Sequence, residues 1–307
     1  MSFSRSKLPV IGCLLLSGLL CRAQHNPLYD QYLYNGLAIN PAFAGSREVM
    51  NVAALYRMQW LKMEGAPVTQ TLAGDFPLYN PQLALGLLIQ NDKTGVYKKT
   101  GVYGVYAFRI KTKKGRFALG LQGGFDLMRE NLAVIRTLQP NDPMFDTELH
   151  RLFMPNIGTG AYYYSKKYFA GLSVPRLVLY RPATNNKYRG KLSLYDVMLY
   201  GGVNITVHPS FKLKPSALIR YSPNDFMADV NCSAIFLPDD RLEVGLSYRS
   251  TKVWVITTGI RINPQIHIGY VYDHAFGVAN IAGGSHEILL RYEFRYRVNT
   301  ENPLYLK

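Results

Sequence analysis

The sequence predicts an all-β protein: an antiparallel transmembrane β-barrel of the outer membrane, about fourteen strands, preceded by an N-terminal periplasmic or lumenal segment. Three observations point there. Hydrophobicity alternates with period two nearly from end to end. The alternating runs are roughly nine to twelve residues long, as a tilted membrane strand requires. Their connections are short at one end of the hairpins and mostly long at the other, as in outer-membrane barrels. A soluble sandwich has strands of about five or six residues and no reason to keep one end tidy. Composition agrees: Tyr occurs 23 times against 2 Trp, and charged residues make up only 18% of the chain, which is strand-rich and poor in charge for a soluble enzyme.

The elements follow in chain order. Arg5 and Lys7 form a basic start, Val10 to Leu20 an apolar core, and Cys21-Arg22-Ala23 puts small residues at the −3 and −1 positions before Gln24. Residues 1–23 therefore read as a secretory signal peptide, too short in its apolar run to remain as a membrane helix. Val10-Ile11-Gly12-Cys13 has lipobox letters but stands ahead of most of the apolar run, and Leu19-Leu20-Cys21 lacks the small residue, so lipidation is not expected. Cleavage removes Arg5, Lys7 and Arg22, taking the net charge from +15 to +12. It also removes Cys13 and Cys21, leaving Cys232 alone and no internal disulfide.

Residues 24–47 contain QYLYNGLAINPAFAGS, which has no helical period and few charges. Tyr29, Tyr32, Tyr34 and Phe43 are partly apolar anchors, and Asn35, Asn40 and Pro41 shape the turns between them. Such a segment plugs the barrel, docks to periplasmic protein, or simply caps the first strand.

Residues 48–297 form the barrel, with strands beginning near 50, 68, 82, 100, 116, 156, 168, 193, 212, 227, 241, 253, 265 and 286. The last strand shows the logic. Ile288, Leu290, Tyr292, Phe294 and Tyr296 share one face, and Glu287, Arg291, Glu293 and Arg295 the other. In a barrel the second face is lumen, where charges pair, while the aromatics meet lipid. Tight connections carry turn residues, as at Asn80-Pro81, Ser165-Lys166-Lys167 and Asn263-Pro264. Long ones are expected near 60–67, 91–99, 128–155, 176–191 and 274–285. Residues 298–307 make a C-terminal tail.

Catalytic, metal and cofactor chemistry is not expected. Ser285 precedes His286, but no strained nucleophile turn or oxyanion site accompanies them. NDPMFDTELH, 141–150, is rich in oxygen ligands yet does not have calcium-loop spacing. Gly120, Gly123 and Gly124 lie inside a strand pattern with no helix after them, so they relieve curvature or crowding and do not cradle a dinucleotide. The basic excess is spread beside turns and no nucleic-acid module appears, so nucleic acid is not expected; anionic headgroups of outer-membrane lipid account for the basic turns equally well, and an acidic protein partner is the other counterpart.

Several ordered blocks resemble one family. They are Gln31–Asn35, Ile39–Ser46, Tyr56–Trp60, Glu64–Pro67, Pro155–Gly160, Gly171–Pro175, Gly245–Ser250, Ile268–Asp273 and Gly284–Tyr292. Together they are similar to the PorP/SprF family of outer-membrane proteins. The resemblance singles out Tyr32, Asn35, Asn40, Pro41, Gly45, Arg57, Trp60, Gly65, Pro67, Pro155, Asn156, Ser285 and His286 as motif or candidate contact residues. It implies a non-catalytic barrel of the type IX secretion and gliding apparatus. Its partners would be a secreted adhesin-like protein, held through a C-terminal domain, and periplasmic components of the machinery. A passive channel for small or hydrophobic solutes is the alternative. One departure is that residues 297–307 continue beyond Tyr296, where the family usually ends.

Overall fold

A computed structural model describes residues 35–130, 150–177, 195–222, 225–236, 240–276 and 283–294. Fifteen strands follow two short 3-10 turns, Gly36–Ala38 and Pro41–Phe43. They are β1 (Asn51–Met58), β2 (Val68–Pro77), β3 (Leu83–Thr94), β4 (Tyr97–Lys111), β5 (Arg116–Glu130), β6 (His150–Tyr164), β7 (Tyr168–Val174) and β8 (Val197–Val203). Then come β9 (Ile205–His208), β10 (Phe211–Ser222), β11 (Asp225–Phe236), β12 (Leu242–Arg249), β13 (Val253–Arg261), β14 (Ile266–Ala275) and β15 (Ser285–Glu293). All pairings are antiparallel, and β15 pairs with β1, so the sheet closes on itself. β8 and β9 both pair with β10 and are parted only by Asn204. They make one interrupted stave, and the closed barrel has the fourteen staves expected.

Closure leaves no edge, and it sorts the side chains by parity. In β1, Asn51, Ala53, Leu55 and Arg57 are buried toward the lumen, while Ala54 and Tyr56 are exposed on the outside. In β15, Glu287, Leu289 and Arg291 are buried and Ile288, Leu290 and Tyr292 exposed. The polar face is therefore lumen and the aromatic face meets lipid, as expected. The tight connections, such as those after Pro77, Lys111 and Tyr164, lie at one end, which also holds the starts of β1 and β5 and the end of β15. The longer ones lie at the other.

Two boundaries differ from expectation. The 91–99 stretch is not a long loop: β3 reaches Thr94 and β4 starts at Tyr97, with Asp92 opposite Lys99 and Lys93 opposite Lys98. Polar residues keep pairing there because a hairpin ladder needs backbone bonds, not apolar side chains. Likewise β6 begins at His150, ahead of Pro155. β7 pairs with β6 only as far as Thr159, and the Ile157 carbonyl on that side accepts from Leu177 N–H at 2.8 Å. Pro155 has the same parity as Ile157, so its missing N–H lies on the side where no β7 partner waits.

Candidate functional site: a lumen filled by the lead segment

Residues 36–45 sit inside the barrel, in its tight-turn half, against β2 to β6. Pro at the first position and Asn at the cap make the Pro41–Phe43 turn, with the Asn40 side chain accepting from Ala42 N–H at 2.9 Å. The same side chain donates through Nδ2 to the carbonyls of Ala161 at 2.9 Å and Leu172 at 3.4 Å. One amide thus caps its own turn and ties it to two staves. The Ser173 hydroxyl donates to the Ile39 carbonyl at 2.6 Å. Gly45 takes a positive φ of 70°, and its N–H donates to Asp75 Oδ2 at 2.7 Å while its carbonyl accepts from Arg109. Leu37, Ile39, Asn40, Ala42 and Ala44 are all buried.

Two wall glycines make room for this seat. A Cβ on Gly120 would land on the backbone of Pro41 and Ala42, and one on Gly160 on the Asn40 side-chain oxygen. Gly123, three residues along β5, faces open space outside instead. Crowding is the reason for Gly120, but the crowding partner is the lead segment.

Further toward the long-loop end, charges fill the lumen. Arg57 donates to Asp273 at 2.6 Å and to Glu287 at 3.0 Å, with all three side chains almost fully buried. Arg57 and Glu287 are direct cross-strand partners across the β1–β15 seam, so this ion cluster straddles the closure. Asp229 pairs with Arg249 at 3.3 Å between β11 and β12. The turned-in Arg176 lies 3.8 Å from Asp126.

The candidate residues scatter into separate places. Asn35, Asn40, Pro41 and Gly45 belong to the seated segment, and Tyr32 lies outside the described residues. Arg57 is in the lumen. Trp60, Gly65 and Pro67 form the β1–β2 loop at the long-loop end, where the Gly65 carbonyl accepts from Gly95 N–H at 2.7 Å. Pro155 faces outward and Asn156 inward on β6. Ser285 is buried inward, whereas His286 points outward and meets the Tyr270 hydroxyl at 2.7 Å. They stand on opposite faces of β15 and form no catalytic pair. Most of the 141–150 stretch lies outside the described residues. Glu287 takes the lumenal, charge-paired place expected of its face, whereas the roles of Asp75, Arg109, Gly160, Ser173 and Asp273 were not among the sequence expectations. Their signal was a polar or missing side chain at inward parity.

These features define an outer-membrane β-barrel with an occupied lumen. The chain belongs to the family described as type IX secretion system membrane protein PorP/SprF, whose model matches residues 21–292. It is therefore a type IX secretion outer-membrane protein. No curated protein matches it. Among solved structures it is similar to the CymD monoaromatic hydrocarbon channel, with TM-score 0.53, 10% identity, 85% of this chain and 93% of that one. It is also similar to a TodX deltaS2S3 mutant monoaromatic hydrocarbon channel (0.50, 8%, 86% and 94%). A third is the Acinetobacter baumannii outer membrane protein Omp33 (0.48, 11%, 80% and 98%). At such identities the two hydrocarbon channels show the barrel fold alone.

Proposed function

We propose that this barrel is a non-catalytic anchor. It holds a secreted, adhesin-like protein through that protein's C-terminal domain, helps export it or keeps it at the cell surface, and contacts periplasmic machinery from its tight-turn end. The observation that carries the reading is the seated lead segment: a wall shaped by Gly120 and Gly160 around Asn40–Ala42 favours a closed barrel that works through its surfaces. The family supplies the secretion context. The placement of Ser285 and His286 on opposite faces supports the non-catalytic part. In this reading residues 1–23 are a cleaved export signal, 24–47 the plug and periplasmic contact, 48–297 the barrel and 298–307 a tail. The connections at the long-loop end receive the partner.

The test is recovery of tagged protein from mildly solubilised outer membranes, with mass spectrometry of what accompanies it. A stoichiometric large secreted protein, retained through its C-terminal domain, is the expected result. Replacing residues 131–149 by a two-residue Asn-Gly turn, which keeps Glu130 and His150 paired at the ends of β5 and β6, should release it while the barrel still assembles. Undiminished retention would remove that loop from the contact. The barrel recovered alone, with steady ion current in planar bilayers, would give the function to the channel reading.

A further inference from the structure

The outward face of the barrel is nearly free of charge. Among the described residues, Lys93, Lys98, Arg129 and Arg151 are the only Lys, Arg, Asp or Glu with outward parity on any strand. They do not scatter. Lys93 lies directly opposite Lys98, Lys98 opposite Arg129, and Arg129 opposite Arg151, in one row across β3 to β6. All four are exposed, and none is ion-paired with another described residue. Like charges directly opposite weaken a sheet. The row thus carries a local cost that an external anion would relieve.

Its position says which anion. The row lies toward the long-loop end and points sideways, along the plane of the membrane. The next outward row inward from it holds Gln70, Asn91 and Thr100 on β2 to β4, joined by Asn91 Nδ2 to Gln70 Oε1 at 3.3 Å and Thr100 Oγ1 to Asn91 Oδ1 at 3.0 Å, and Leu127 and Phe153 on β5 and β6. The row after that is Leu72, Ile89, Val102 and Phe125, which is apolar. On β3 and β4 the surface passes from cations to polar side chains to hydrocarbon, and on β5 and β6 from cations directly to hydrocarbon, the order of a lipid headgroup above its tails. Deeper still, Gly74, Gly104 and Gly123 leave an apolar groove of about 770 Å³ walled by Phe76, Leu85, Leu87, Tyr106 and Leu121. From Lys98 to Gly104 is about 20 Å along β4 at ~3.4 Å per residue, within reach of an acyl chain.

We propose that this face binds a phosphorylated glycolipid of the outer leaflet. Its phosphates lie on Lys93, Lys98, Arg129 and Arg151, and the tip of an acyl chain meets the rim of the glycine groove at Gly104 and Gly123. The assignment rests on the long-loop end being the outer surface, as in the function proposed above. An acidic segment of the secreted partner is the competing occupant.

The experiment is native mass spectrometry of the detergent-purified full chain titrated with lipid A, a diphosphorylated glucosamine glycolipid, and with its dephosphorylated form. Wild type should prefer the phosphorylated form. The quadruple variant Lys93→Gln, Lys98→Gln, Arg129→Gln, Arg151→Gln should lose at least roughly tenfold in that binding, since each basic group near an anionic surface contributes several-fold. Lys113→Gln with Lys114→Gln, at a tight turn, should change nothing. Gly123→Leu, whose side chain enters open space, should weaken lipid retention without unfolding the barrel. Equal binding of both lipid forms, or equal loss in the tight-turn control, overturns the proposal. Partner recovery is measured on the same variants. A quadruple variant that loses the partner but binds lipid A normally also overturns it, and gives the row to the partner. A wild type that recovers no partner refutes the anchoring role alone, because the lipid titration does not depend on it.

Discussion

Asn40 offers the sharpest test of the seated segment. Its side chain supplies a capping bond to Ala42 and two donations to the carbonyls of Ala161 and Leu172. Asn40→Ala removes all three. A lost cap costs about 1 kcal/mol, and each wall bond about 0.5–1.5 kcal/mol, the 3.4 Å contact at the low end. The seat should weaken by about 2–3 kcal/mol, which at about 1.4 kcal/mol per decade is roughly a 30- to 150-fold rise in the unseated fraction. Ile39, within the segment, is buried between it and the wall. An Ile39→Cys substitution, with Cys232→Ser to remove the exposed native thiol, reports unseating through its maleimide labelling rate. When opening and closing outpace labelling, that rate follows the open population. Asn40→Ala should accelerate it by the stated factor. Asn40→Asp keeps the cap oxygen but turns a carboxylate toward two carbonyls, so it should label faster than the parent as well. If Asn40→Ala labels no faster than the parent, the amide does not hold the segment and the reasoning from these bonds is wrong.

Three further outcomes are expected. Gly120→Leu should expose Ile39→Cys to maleimide while the barrel persists, because the new side chain meets backbone, whereas Gly123→Leu on the same strand should leave labelling unchanged. Arg57→Leu strands the Asp273 and Glu287 carboxylates in the lumen and should cost about 3–5 kcal/mol, seen as a lower thermal transition in heat-modifiable electrophoretic mobility. Arg57→Leu combined with Asp273→Leu and Glu287→Leu should recover much of that loss, since removing a whole buried cluster is far less harmful than breaking it.

The parity of the chain carried most of the architecture. β2, β5, β7 and β13 begin at Val68, Arg116, Tyr168 and Val253, where the alternation placed them. The charged face of β15 was recognisable as lumen because two acids and two Arg alternate with aromatics. What the alternation could not supply was partners distant in sequence. Asp75 and Arg109 stand out as inward charges, yet both meet the backbone of Gly45, a contact that exists only once fourteen staves have closed around it. Gly120 looked like relief of curvature or crowding for the same reason. β6 starts at His150, earlier than the expected 156 and ahead of a proline, and only the short β7 shows why Pro155 is tolerated within a strand.

The likeness to hydrocarbon channels shows the barrel fold alone, so whether this lumen conducts has to be argued from what occupies it. A barrel of about fourteen staves is wide enough to conduct, so its function depends on what fills it. Shared architecture does not carry a shared function. A conduit needs lumen walls that stay hydrated or open to solute, and here inward residues from Asn51 to Arg57 on β1, and from Ser285 to Arg291 on β15, are buried. Their charges are matched by neighbours on adjacent staves, as with Arg57 and Glu287 across the seam. Evolving both glycine sockets and a capped segment to occupy them would work against a pore. The consequence is measurable: purified wild-type protein should pass little current in planar bilayers, and a chain lacking residues 24–47 should leak more. Steady conductance of the wild type while Ile39→Cys stays protected from maleimide would mean that ions pass around the seated segment, and the case for a closed barrel would fail.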